Sequence, residues 1–461
     1  MPGPALDLIT VPRGGNPFLE GNQAPVGVER SIAGPLAVDG AIPPELCGLL
    51  VRNGPNPATV EDPHHYSWLA GDGMVHAVEL DGGRALGYTN RWIRTRKLAA
   101  SLGLPPPAGP DEPLPGPANI NVIAHGGRIL ALGETGFPLR LDRRLETLCV
   151  EDFEATLVGP MTGHPRVDPD TGALVAFGYD TLGPSLRYFE LDAAGTLVHR
   201  TEVGGARATM QHDFAVTATR VAFLDLPVLY DADLVRIGST LPFRWRPDAG
   251  ARIGILDRFA EGASVRWVPM EPCFAFHVMN AFDDGHDLVI DLCRYDRMFD
   301  GVGGVLTCSG LPALERWRIA ESGVIQVIRL DDLAVEMPRI NEARVGRPYR
   351  YGYCVAYAGD GAVPATATGL VRYDLSSDEA LHFTPGGGRS PGEPVFVAAP
   401  GADAEDEGWI LTVVYDPARA LSDLVILDAT AFSGPPVAVV HLPARVPTGF
   451  HGSFVPAAAY R

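Results

Sequence analysis

Along most of the chain, apolar and polar residues alternate in short runs, and glycine or proline stands between one run and the next. A period of two marks strands that bury one face, and the glycines and prolines mark the turns between them. Together these two residues make up 95 of 461 positions (53 + 42), a density that suits an all-β protein. Residues 93–104 are the main stretch with a helical apolar period.

The runs come in fours. After His212 they fall at 212–217, 220–226, 251–257 and 264–268. After His277 they fall at 277–282, 287–293, 314–319 and 324–330, the first two joined by the turn Asp283-Asp284-Gly285. After Glu393 they fall at 393–399, 408–415, 422–428 and 436–442, and a similar series follows His164. The residues opening the groups are Ile120, His164, His212, His277, Glu336, Glu393 and His451, separated by 44, 48, 65, 59, 57 and 58 residues. A repeat of this length with four strands per unit predicts a β-propeller, and seven openings predict seven blades.

Too little chain follows His451 to finish a blade. Runs near 48–52, 74–80 and 85–92 can complete it, so the ring is expected to close by joining the two ends, with residues 1–461 as a single domain. The proline-rich segment 101–118 and residues 229–250 are expected to form a loop and helix dome over one face of the ring.

Charge and cysteine usage narrow the function. A net charge of −19 excludes nucleic-acid binding, which needs a basic patch. Six scattered cysteines without CxxC spacing read as reduced thiols of a cytoplasmic protein. The N-terminal residues lack the pattern of a signal peptide, and no apolar run is long enough to span a membrane. Nothing indicates a protein partner.

The first strand of each propeller blade lines the central channel, so opening residues converge on the axis. Four of the seven openers are histidines: His164, His212, His277 and His451. A single buried histidine is more often a hydrogen-bonded core residue than a ligand. Four at equivalent repeat positions point instead to a divalent first-row metal held by imidazoles, without specifying which metal. Histidine ligands commonly pass their second ring proton to a carboxylate, and Glu134, Glu336 and Glu393 stand in apolar settings suited to that role.

At these residues the chain resembles the carotenoid cleavage oxygenase family, which includes stilbene-cleaving and phenylpropanoid-cleaving members. The matching pieces run nearly end to end: VRNGPNP at 51–57, GDGMVHAV at 71–78, NVIAHGGRILALGE at 121–134, GHPRVDPDTGAL at 163–174 and MQHDFAVT at 210–217. They continue with FAFHVMNAF at 274–282, EMPRIN at 336–341, GEPVFV at 392–397, SDLVILDA at 422–429 and FHGSFVP at 450–456. The resemblance implies Fe(II) held by the four histidines, with Glu134, Glu336 and Glu393 supporting His212, His277 and His451 respectively. It implies that O2 is added across a double bond to give two carbonyl products, with no catalytic side chain beyond the iron ligands. The expected partners are therefore an apolar small molecule and O2.

Two departures bear on the substrate channel. Stilbene-cleaving relatives engage the substrate phenol with a tyrosine and a lysine, where this chain has Trp92 and Gly133. Their loss favours a carotenoid or apocarotenoid, with a stilbene or phenylpropene-type aryl alkene as the alternative. Many members have a threonine beside an open iron position, where this chain has Ile120. Phe276, next to His277, either lines the channel or points into a blade. Segment 90–104, with Arg91, Arg94, Arg96 and Lys97 among apolar residues, either rests peripherally on a membrane or is a packed helix with a basic edge.

Overall fold

A computed structural model of the chain describes residues 15–112, 116–260, 264–301, 308–359 and 365–460. The chain divides into two compact units, residues 1–161 with 383–461, and residues 162–382.

The first unit holds three sheets. In one, Gly452–Pro456 pairs with Gly48–Pro55, which continues through Gly73–Asp81 and Arg84–Trp92 to an outer strand, Arg30–Ala33. The C-terminal strand thus completes an N-terminal sheet, in the register Leu49↔Val455 and Arg52↔Gly452. A second sheet runs through Asn121–His125, Arg128–Leu132, Leu139–Leu141 and Thr147–Val150. The third contains Val395–Ala398, Gly408–Asp416, Leu421–Asp428 and Ala438–His441, with Val38–Gly40 on its outer edge.

Gly48–Pro55 explains why some runs are continuously apolar. Leu50 enters one core cluster with Val78, Leu411 and Leu424, while Leu49 and Val51 enter another with Val75, Val122 and Ile129. Alternation still operates, but both faces are buried, so both sets must be apolar.

The second unit holds four more meanders. The first is Arg166–Val167, Leu174–Tyr179, Leu186–Leu191 and Leu197–Glu202. The second is Phe214–Val216, Arg220–Asp225, Ala251–Asp257 and Arg266–Met270. The third and fourth share one long strand, Ile325–Ile340, which ends the series Phe274–Asp284, Asp287–Tyr295, Ala313–Ile319 and begins the series Tyr351–Ala358, Thr366–Asp374, Glu379–Phe383. A break was expected near residue 330, but the linking residues Leu330, Asp331, Asp332 and Leu333 include no glycine or proline to end the strand. The described residues thus contain seven groups built on four strands, two of which carry an added strand on the outer edge.

Outer strands alternate in exposure, as Leu197–Glu202 does, whereas Leu174–Tyr179 is buried throughout. The hairpin closing at Asp284↔Asp287 has a two-residue loop in which Gly285 adopts φ +61°, a conformation that glycine reaches without strain.

The helical expectation shortens to Arg96–Ser101, capped by the Thr95 hydroxyl, which accepts from the Leu98 amide. Around it Trp92, Ile93 and Leu98 are buried. Arg91 pairs with Glu146, Arg94 with Glu29, and Arg96 donates to the carbonyls of Gly109 and Pro110. Segment 90–104 therefore has the packed arrangement, with its main apolar side chains turned inward. Within 229–250, Phe243–Trp245 pairs with Val228–Tyr230 across a short helix, Ala232–Arg236. Among the described residues no helix is long and apolar enough to cross a membrane.

Candidate metal centre

Each candidate ligand lies at or near the start of a first strand, where the chain enters a meander. His164 precedes Arg166–Val167, His212 precedes Phe214–Val216, His277 lies early in Phe274–Asp284, and His451 precedes Gly452–Pro456.

Within residues 162–382, three imidazoles face one another. Ring centroids are 4.6 Å apart for His164 and His212, 5.1 Å for His164 and His277, and 5.2 Å for His212 and His277. The Nε2 atoms of His164 and His212 approach to 3.1 Å. Two lone pairs at that distance repel, unless one nitrogen carries a proton or both point at a cation.

Glu336 orients His277, whose Nδ1 lies 2.6 Å from Glu336 Oε2. The same oxygen accepts from the Met337 amide at 2.6 Å. Met337 has φ +55°, unusual for a residue with a side chain, and the pairing shifts register between Glu336 and Arg339. That local irregularity lets the Glu336 carboxylate meet both its own chain and the imidazole.

In the other unit, His451 Nδ1 lies 2.8 Å from Glu393 Oε1, while Glu393 Oε2 accepts from the Gly452 amide at 2.8 Å. The His451 amide donates to the Ile120 carbonyl at 3.1 Å, so Ile120 sits directly against this residue. Gly452 lets the strand approach Gly48–Pro55, since a Cβ there would lie 2.7 Å from the Val51 carbonyl oxygen.

A carboxylate can only accept, so each paired Nδ1 carries the proton and each Nε2 presents its lone pair. His164, His212, His277 and His451 are all buried. These four side chains could hold a metal ion. A neutral imidazole set suits a divalent first-row metal, iron included.

The remaining sequence candidates occupy varied positions. Phe276 packs edge-on to His212, with ring centroids 5.0 Å apart, and also touches Phe274, Tyr295 and Phe299. Its strand shifts register on both sides of Val278, and the bulge breaks the alternation that left the direction of Phe276 open. Trp92 is buried in a cluster with Ala58, Met74 and Leu98, and its indole donates to the Asn56 carbonyl. Gly133 has little room for a side chain, because a Cβ would lie 3.2 Å from the Ala118 nitrogen and 3.3 Å from the Thr135 oxygen. Glu134 is half-buried just beyond Arg128–Leu132.

His76 shows the ordinary alternative for a buried histidine. Its Nδ1 lies 2.7 Å from the Tyr88 hydroxyl, and burial, aided by the charges of Arg445 and Arg52, pushes its pKa down to about 3. It is a neutral core residue. Sequence reasoning missed Arg166 and Asp213, although both lie inside the GHPR and QHDF motifs.

Seven antiparallel strand groups and four buried histidines define the class: an all-β, seven-bladed propeller. The family described as RPE65, retinal pigment epithelial membrane protein, matches residues 24–456. The chain belongs to this RPE65/carotenoid cleavage oxygenase family, and its curated relatives include named oxygenases. It is 36% identical to the carotenoid cleavage oxygenase of Mycobacterium tuberculosis, over 96% of this chain and 98% of that one. It is 31% identical to the apocarotenoid-15,15'-oxygenase of Synechocystis, over 90% and 92% of the two chains. The crystal structure of lignostilbene dioxygenase from Pseudomonas brassicacearum superposes with a TM-score of 0.85 at 27% identity, over 97% of this chain and all of that one.

Proposed function

We propose that this protein is a non-haem Fe(II) dioxygenase that cleaves a C=C bond of a carotenoid or apocarotenoid with O2, giving two carbonyl products. The observation that carries this reading is the buried set of four imidazoles, two of them oriented by glutamates. We further propose that Glu134 supports His212 and that residues 1–461 act as one domain.

Iron, when bound, supplies the activation of O2. The protein supplies position and exclusion of water. His277 and His451 are held in a single tautomer, so neither ring must reorganise during the reaction. Phe276 and Ile120 are buried beside ligands and offer apolar surface to an alkene. Trp92 and Gly133 bring neither a phenol nor an amine to the channel, which favours a long apolar substrate over a hydroxystilbene. No proton transfer is required of a side chain, because the two atoms of O2 end as the two carbonyl oxygens.

We also propose that the enzyme is cytoplasmic and that any membrane contact is peripheral and does not use the buried apolar residues of segment 90–104. Flotation with lipid vesicles checks this. The chemical test is incubation of iron-loaded protein with 18O2 and a panel of apocarotenoids, stilbenes and phenylpropenes. Labelled apocarotenoid aldehydes or ketones are the expected products. Products from the aryl alkenes alone would replace the proposed substrate class, and absence of label would remove the dioxygenase reading.

A further inference from the structure

We propose that Arg166 and Asp213 form a positioning clamp that sets His164, His212 and His277 relative to one another, and that metal affinity depends on it. This rests on the reading of those histidines as metal ligands.

Asp213 follows His212, and its side chain is fully buried. Its Oδ1 accepts from the Phe214 amide at 2.8 Å, and its Oδ2 from the Val278 amide at 2.8 Å. Arg166 Nη2 lies 2.9 Å from Oδ2 and 3.2 Å from Oδ1, and also donates to the Val278 carbonyl at 3.0 Å. Arg166 is two residues past His164, and Val278 is the residue after His277. One carboxylate and one guanidinium nitrogen therefore join residues within two positions of three candidate ligands, at the entries to three separate strands.

The bulge explains why the pair is needed. Cα pairing runs Ala275↔Arg294, Val278↔Leu292, Asn280↔Asp291, so register shifts before and after Val278. A bulge disrupts the ladder locally, and a buried peptide there must find other partners. Asp213 takes the Val278 N–H and Arg166 takes its C=O. The same distortion turns Phe276 and His277 toward the other imidazoles. A buried ion pair is a poor stabiliser unless its remaining hydrogen bonds are made, and its best-attested role is to select one geometry. The Arg166–Asp213 pair has that character.

The test is anaerobic Fe(II) titration of metal-stripped protein against a competing chelator, with Co(II) absorption spectra as a geometric readout. The variants are D213N and R166K, and the control is D291N. Asp291 is equally buried and binds Arg316 at 2.7 and 2.8 Å, with partner exposures of 0% and 24%, against 0% and 23% for Asp213 and Arg166. D213N and R166K should weaken Fe(II) binding about 10- to 100-fold, the range seen when groups supporting metal ligands are changed, and should alter the Co(II) spectrum. D291N should lower the melting temperature and leave affinity and spectrum unchanged. If D213N fails to fold, R166K carries the test, because it keeps both amide bonds to Asp213. Folded variants with wild-type affinity and spectrum would overturn the clamp, as would equal weakening by D291N. Wild-type protein that takes up neither metal would instead remove the underlying reading of the histidines.

Discussion

His277 and His451 receive the same bond from a glutamate, yet their supports differ. Glu336 serves His277 and the Met337 amide through one oxygen, Oε2. Glu393 divides the work, with Oε1 on His451 and Oε2 on the Gly452 amide. The first pair depends on a local irregularity at Met337, the second on the C-terminal strand joining an N-terminal sheet. Equivalent ligand chemistry can thus be reached by bending one strand or by pairing distant ends of a chain, and the two routes should fail differently.

The largest effect should erase the difference. H277A and H451A each delete a proposed ligand, and both should abolish stoichiometric iron retention, measured by elemental analysis, together with substrate-dependent O2 uptake. The next effect should expose it. At position 336 a glutamine can keep both accepted bonds through its single oxygen, placing its amide where Oε1 has no hydrogen-bond partner among the described residues. At position 393 both oxygens accept, so glutamine must set an N–H against a donor. E393Q should therefore weaken Fe(II) affinity by about 100-fold and E336Q by about 10-fold, read by chelator competition. Equal losses would show that the division of bonds does not matter.

G452A tests the closing strand. Its new Cβ would press on the Val51 carbonyl, and overpacking of this kind costs about 1–3 kcal/mol. The melting temperature should fall, and iron affinity should fall with it, because His451 is the preceding residue.

The remaining effects appear only as pH is changed. His76 is buried with a pKa pushed down to about 3, below its ordinary value near 6.5. Between those values the unfolded chain binds a proton that the folded one does not, so stability is complete above about 6.5 and falls as pH drops through the window. H76Q should flatten that acid slope in urea unfolding. His441 behaves oppositely, since its hydrogen bond to Asp423, aided by Asp39, raises its pKa. Its contribution is present below about 6.5 and lost as pH rises through the folded value. H441Q should remove this smaller, oppositely signed slope.

Much of the architecture is legible along the chain because strand periodicity, turn residues and repeat spacing are local or countable. The groups after His212, His277 and Glu393 lie within a few residues of where the pattern puts them, and the closure between the chain ends follows from the incomplete last group. The continuous strand Ile325–Ile340 was less legible, since ending a strand requires a turn signal that its middle lacks. The four histidines were visible because equivalent places in a repeat share a direction. The direction of Phe276, the core packing of Trp92 and the bonds of Arg166 with Asp213 were not.

By itself, then, the sequence determined the strand content, the sevenfold repeat and the residue types able to bind a metal, because each follows from spacing. Tertiary structure alone decided which nitrogen of His277 and His451 faces inward, how the bulge at Val278 is satisfied, and which aromatic rings meet the imidazoles. Those outcomes depend on contacts between residues tens to hundreds of positions apart, where shifts of an ångström separate a hydrogen bond from a clash.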